Sequence, residues 1–332
     1  MAPAFPDSAP PALAALLGNP EWEDWQWQLS HTLSAADLGV EDFAPFPMRV
    51  TPHYASLVKW DDPADPLRRQ CCPDSREALP DGYGPDPFGE RAEAAIAPGI
   101  KQRFPDRILA MVSTTCSTYC RHCTRRGLLE GACVAKLEDL IAAVKARPKV
   151  REVLLSGGDP CILPDATVLR WVDALAELPQ LDAIRLCTRT PIMLPQRFTP
   201  AFVEGLAKSG RLWLQTQFNH PRELCPATIA ALDALARAGI PVSNQSVLLR
   251  GINDDAETMV SLCAQLQRHR VRPYYIFTCD PIAGISHFRT PPETAPALRE
   301  ALLSNLGGLA CPRVVSDIPG AAHKTDVSAV VQ

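Results

Sequence analysis

Arg107-Ile-Leu-Ala-Met-Val-Ser-Thr-Thr-Cys116-Ser-Thr-Tyr-Cys120-Arg-His-Cys123 is the stretch on which the reading of this chain turns. Its first half, residues 107–115, is a short apolar run that reads as a buried strand. Its second half sets three cysteines at C-x3-C-x2-C spacing just where that strand ends. Three thiolates can hold an iron–sulfur cluster. They do not complete a four-thiolate cage, so one iron stays open to another ligand, and an electron carrier becomes a place where a substrate meets metal. The competing reading is a structural zinc site, with His122 or a distant cysteine as fourth ligand.

Outward from this stretch, six short apolar runs at 107–115, 151–156, 182–188, 211–217, 241–248 and 271–278 alternate with amphipathic segments. Those segments are Ala135–Ala146, Thr167–Leu178, Ala201–Lys208, Thr228–Ala238 and Glu257–His269. Alternation at this spacing predicts βαβ units and a parallel sheet. Polar residues follow the runs: the cysteine loop, Ser156-Gly157-Gly158-Asp159-Pro160, Thr188-Arg189-Thr190-Pro191, Gln217-Phe218-Asn219-His220-Pro221, Asn244-Gln245 and Cys279-Asp280. Reactive groups at the C-terminal end of every strand mark the mouth of a barrel-like α/β fold. An open doubly wound sheet would gather them at one switch point. The expectation is therefore a partial (β/α)6 barrel over residues 96–310. A helix-and-loop region (1–95) holding Trp22, Trp25 and Trp27 precedes it, and a short segment (311–332) follows.

Composition narrows the partners. A formal charge of -4 and a pI near 6 leave no basic footprint for nucleic acid. Twelve cysteines in 332 residues are too dilute for a disulfide scaffold. Clustered, they suggest a metal and a reducing compartment. The apolar start, Met1–Pro20, is broken by Pro3, Pro6, Pro10 and Pro11 and lacks a positive n-region. No window reaches membrane-span length, so the expected location is the cytoplasm.

The cysteine run extends as Cys-Ser-Thr-Tyr-Cys-Arg-His-Cys-Thr-Arg-Arg. It is followed in order by Leu-Leu-Ser-Gly-Gly-Asp, Arg-Thr-Pro-Ile-Met-Leu-Pro-Gln-Arg, Asn-Gln-Ser-Val-Leu-Leu-Arg-Gly and His287-Phe-Arg-Thr-Pro. Together these motifs resemble the lysine 2,3-aminomutase family of the radical S-adenosylmethionine (SAM) superfamily, from about Trp22 to about Val327. The resemblance implies that Cys116, Cys120 and Cys123 hold a [4Fe–4S] cluster whose open iron is chelated by SAM. Gly157, Gly158 and Asp159 match the motif that receives the methionine end of SAM, and Gln217 and Gln245 fall beside it. Lys324, in Asp317-Ile-Pro-Gly-Ala-Ala-His-Lys324-Thr, matches the lysine that carries pyridoxal 5'-phosphate (PLP). By itself it reads as a solvated surface lysine. Arg103 and Arg107 match arginines of the PLP pocket, where a guanidinium fork suits a phosphate.

Substrate choice rests on three positions in the same resemblance. Arg125 matches the clamp on the substrate α-carboxylate, and Asp280 with Asp317 matches the pair that receives a distal ammonium. Two carboxylates at one point repel unless a cation lies between them, although either alone reads as a helix cap or turn residue. The implied reaction is L-lysine to β-lysine, with a reductant protein such as flavodoxin or ferredoxin and room for a homodimer. Arginine, or a lysine of elongation factor P, is the alternative substrate. A non-catalytic iron–sulfur or zinc protein is the alternative of another class.

The chain departs from the family in three ways. It is a short form without the C-terminal extension, so the zinc and assembly that this extension serves are not carried over. Gln217 stands where the family motif has histidine, and Ala321, Ala322 and His323 replace a glycine run before Lys324. Cys71 and Cys72 read as buried thiols rather than ligands.

Overall fold

The computed structural model describes residues 8–43, 46–86, 88–89, 96–128 and 131–327, so Pro3 and Pro6 lie outside the described residues. The six expected strands are all present: β2 (Arg107–Ser113), β3 (Glu152–Gly157), β4 (Ala183–Cys187), β5 (Leu212–Thr216), β6 (Val242–Leu248) and β7 (Val271–Thr278). Three more flank them: β1 (Ile100–Phe104), β8 (Arg313–Ser316) and β9 (Thr325–Asp326). Strand order in the sheet follows chain order from β1 to β9. Strands β2 to β8 run parallel, whereas β1 and β9 are antiparallel edges. The six expected strands form the interior of the sheet, with β8 as a seventh parallel strand and β1 and β9 as antiparallel edges. The segment expected to stand after the barrel supplies β8 and β9 to the same sheet. These added strands read Ile-Lys-Gln-Arg-Phe, Arg-Val-Val-Ser and Thr-Asp, too short and polar to announce themselves without their partners.

The crossover helices bury one stripe each. Leu137–Lys145 turns Leu137, Leu140 and Val144 inward, and Asp165–Ala176 turns Val168, Trp171, Val172 and Leu175. These are spacings of three and four residues. Inside the sheet Ile108, Val153, Leu155, Ile184, Leu186 and Leu214 are buried, as strands covered on both faces require. The first and last edges do not pair through their backbones; side chains bridge them instead. Arg103 on β1 donates to the Ile318 carbonyl at 3.2 Å and forms an ion pair with Asp317 at 2.9 Å. The Lys324 ammonium lies 5.8 Å from the Phe104 ring. Among the described residues, no helix is long and apolar enough to cross a membrane.

The N-terminal region forms short helices, and its Tyr54, Val58 and Leu67 join the barrel's own core. Its contact with the cysteine loop is ionic. Glu77, fully buried, accepts from Arg121 at 2.9 and 2.6 Å and from Arg126 at 2.6 Å. Arg121 also donates to the carbonyls of Phe46 and Pro47. Both guanidinium groups lie about 5 Å over the Phe46 ring. Removing one partner of such a buried set leaves uncompensated charge and costs about 3–5 kcal/mol. Glu77→Ala is therefore expected to lose stability on that scale in urea unfolding followed by circular dichroism. A loss below about 1 kcal/mol would show that water reaches the two arginines.

Candidate active site

Every candidate cluster, SAM, PLP and substrate residue lines one cavity of about 720 Å³ at the mouth of the barrel. That volume lies in the range of roughly 300–1,000 Å³ usual for ligand sites. The three cysteines, at the C-terminal end of β2, form one wall. Burial pushes the Cys116 thiol well up, with Asp159, Cys123 and Cys120 adding to the effect. Burial, then Cys120, takes Cys123 up to about 11. Thiols that feel one another in a buried wall suit a cationic metal group, which removes their protons outright. Among the described residues, no three His, Cys, Asp or Glu side chains gather closely enough to hold a single metal ion. A mononuclear zinc needs that arrangement, whereas a cluster takes one thiolate per iron. The donor set fits the cluster.

The Gly-Gly-Asp turn after β3 is built against the segment leading to Cys116. Gly157 has φ +109°, and a Cβ there would stand 2.4 Å from the Ser113 carbonyl oxygen. A Cβ on Gly158 would stand 2.1 Å from that of Thr115. Both glycines therefore serve a close backbone approach, but the backbone they admit is the cysteine strand's own. Asp159 is likewise engaged within the protein. Its carboxylate accepts from Thr188 Oγ1 at 2.6 and 2.8 Å, from the Arg189 amide at 2.9 Å and from the Cys161 amide at 2.9 Å. Those donors tie the ends of β3 and β4 together as a clip between loops. Burial nevertheless raises its pKa.

Gln217, the substitution for histidine, lies 3.2 Å from His122 Nε2, and Asn219 Nδ2 lies at the same distance. Two amide donors make that nitrogen an acceptor, and burial holds His122 well below its ordinary pKa. Gln217 thus ties the end of β5 to the cysteine loop. Gln245 donates to Gln215 at 2.9 Å. Arg189 was visible in the sequence only as part of a polar strand end. It donates to Cys120 Sγ at 2.7 Å and pairs with buried Glu223 at 2.9 Å.

Another part of the cavity wall carries Lys324 and the acid pair, Asp280 and Asp317. Asp317 follows β8 and accepts from Lys324 Nζ at 2.9 Å. Its other oxygen faces Arg103 at 2.9 Å without hydrogen-bond geometry and has no hydrogen-bond partner. Asp280, after β7, is raised to about 7, first by burial and then by Asp317, against the pull of Lys324, Arg289 and Arg103. Lys324 also lies 4.8 Å over Phe277. Arg107 stacks on Phe104 at 4.2 Å and reaches Asp106 at 3.3 Å. Arg125 donates to Ser156 at 3.2 Å. His323 Nδ1 lies 3.0 Å from the Lys324 carbonyl. A reactive amine, two guanidinium groups and apolar rings on one wall fit PLP.

Residues 111–263 match the radical SAM superfamily. The chain is 37% identical over 327 residues to an L-lysine 2,3-aminomutase of Clostridium subterminale, covering 92% of this chain and 78% of that one. It is 39% identical to the L-lysine 2,3-aminomutase of Acetoanaerobium sticklandii, with the same coverage. It is also 33% identical to a glutamate 2,3-aminomutase of Clostridioides difficile, over 94% of this chain and 78% of that one. The chain is shorter than these relatives.

Two expectations follow from the geometry. Gly158→Ala drives a methyl group into the Thr115 carbonyl and displaces the cysteine loop. Anaerobically reconstituted variant should hold well under the roughly four irons per chain of the native protein while keeping its circular dichroism spectrum; full iron content would refute the packing argument. Asp280 has a folded-state pKa above its unfolded value, so its protonated form stabilises the fold fully below the ordinary carboxylate range, a contribution lost as pH rises to about 7. Asp280→Asn removes that loss. The variant's advantage in urea midpoint over the native protein should grow from roughly pH 4 to pH 7 and then level off. A pH-independent difference would mean that Asp280 is solvated.

Proposed function

Since the chain belongs to the lysine 2,3-aminomutase family of radical SAM enzymes, we propose that it moves the α-amino group of L-lysine to C3, giving β-lysine. It is a radical aminomutase, an isomerase acting on a small amino acid with a [4Fe–4S] cluster, SAM and PLP. Lysine is favoured by one observation above the rest: Asp280 and Asp317 line the same cavity as the candidate PLP lysine, where burial and then the charge of Asp317 raise Asp280, so that a cation between them is favoured. A substrate ending in a carboxylate, such as glutamate, would add a third negative charge there.

In this reading Cys116, Cys120 and Cys123 hold the cluster, and Gly157 and Gly158 shape the backbone beside it. Arg103 and Arg107 take the phosphate of PLP, and Lys324 carries it. When bound, the cluster and SAM supply a radical that removes a hydrogen atom, and PLP supplies the π-system through which nitrogen changes carbon. The protein's own part is orientation. Arg125, beside the cysteine loop, holds the α-carboxylate with a rigid fork. Asp280 and Asp317 hold the far ammonium, so the substrate is stretched between two charged anchors and its reacting carbons are fixed between them. A cation arriving at Asp280 favours the ionised carboxylate, which tightens the grip. A one-electron donor protein of the flavodoxin or ferredoxin kind serves the cluster.

The test is turnover. Reduced, reconstituted enzyme is incubated with SAM and, separately, lysine, arginine, ornithine and glutamate, and products are read by NMR. Lysine should yield β-lysine, and glutamate nothing. Lys324→Ala should be silent with every substrate. β-Arginine as the main product would reassign the specificity, and no turnover of any free amino acid would point to a protein-bound lysine.

A further inference from the structure

We propose that Arg189 is a positioning residue that sets the electron affinity of the cluster through Cys120, with Glu223 as its opposing charge. The inference rests on the reading of the three cysteines as cluster ligands. Arg189 follows the end of β4, and its side chain is only 10% exposed. Each nitrogen of its guanidinium is committed: Nε donates to the Gln217 carbonyl at 2.9 Å and Nη1 to Cys120 Sγ at 2.7 Å. Nη2 donates to Gln70 at 3.1 Å and to Glu223 at 2.9 Å. Held at three corners, the fork cannot swing away from the sulfur. A guanidinium is ionised at any working pH, so the fork carries a full positive charge.

Glu223 is fully buried and accepts from the backbone amides of Asn219 at 2.6 Å and His220 at 3.1 Å, and from the Tyr54 hydroxyl at 3.3 Å. It is therefore an anchored carboxylate one guanidinium away from the sulfur. A charged donor on a ligating thiolate withdraws electron density and favours the reduced cluster. Glu223 acts in the opposite sense from farther off. The two side chains form a dipole whose positive end touches Cys120. A tie that merely holds the loop would show no such sign.

The sign is what the experiment reads. Native enzyme, Arg189→Gln, Glu223→Gln and the double variant are reconstituted anaerobically. The midpoint of the one-electron cluster couple is then measured without SAM, by EPR-monitored potentiometric titration. The midpoint should move to more negative potential in Arg189→Gln and to less negative potential in Glu223→Gln, with the double variant lying between. Shifts of the same direction in both single variants, or none in either, would overturn the proposal. Where Arg189→Gln does not retain iron, Glu223→Gln decides: a less negative midpoint supports the proposal, and an unchanged or more negative one overturns it. Iron content and the reduced EPR signal of the native enzyme test the underlying cysteine reading separately. Without a cluster that reading fails; with a normal cluster and unmoved potentials, only the role of Arg189 fails.

Discussion

The Glu77 carboxylate, with no exposure to solvent, lies between the guanidinium groups of Arg121 and Arg126. Arg121 sits between Cys120 and Cys123, in a loop with no helix or strand of its own. Backbone hydrogen bonds alone do not fix such a loop, so its geometry has to be imposed from outside. The N-terminal region supplies that constraint: besides Glu77, the Arg49 carbonyl accepts from the Tyr119 amide at 2.9 Å and the Gln70 carbonyl from the Arg121 amide at 2.9 Å. Burying three charges together is costly unless every donor and acceptor is met. Here Arg121 spends its remaining donors on the Phe46 and Pro47 carbonyls. The region before the barrel is therefore part of the scaffold of the site.

From the other side the same loop is held by the strand ends. Gly157 and Gly158 bring the turn after β3 within backbone contact of the residues before Cys116. Asp159 ties that turn to Thr188 and Arg189 after β4. Gln217 and Asn219 after β5 reach His122, and Asn253 after β6 donates to the Asn219 carbonyl at 2.8 Å. Successive strand ends are stitched laterally, which turns a row of loops into one rigid rim.

The six interior strands and five crossover helices were legible because buried parallel strands and amphipathic helices write long, strong patterns. β1, β8 and β9 were not, because their pairing depends on neighbours and not on their own residues. The helix Thr294–Asn305 was also passed over; it buries only Ala295, Leu298 and Leu302. At the site, residue types were readable and directions were not. Asp159 reads as a free carboxylate until its three donors are seen. Arg189, in an Arg-Thr-Pro run at a strand end, carried a signal that only the fold could aim at Cys120. Glu77 and Glu223 carried none, since a buried carboxylate has no mark that separates it from a surface one.

Asp317 joins the last of these threads, because the seam of the barrel and the substrate end of the cavity are built from the same side chains. It meets Arg103 from β1 and Lys324 just before β9, and so bridges edges that the backbone leaves apart. Two cations beside Asp317 also offset the repulsion it exerts on Asp280. Without the charge on Lys324, the two partly buried carboxylates would face only the guanidinium groups of Arg103 and Arg289. The deficit would be one positive charge. An amino acid with a cationic side chain restores it. In the proposed reading, occupation of Lys324 and binding of a cationic substrate are therefore linked through the charge balance of Asp317.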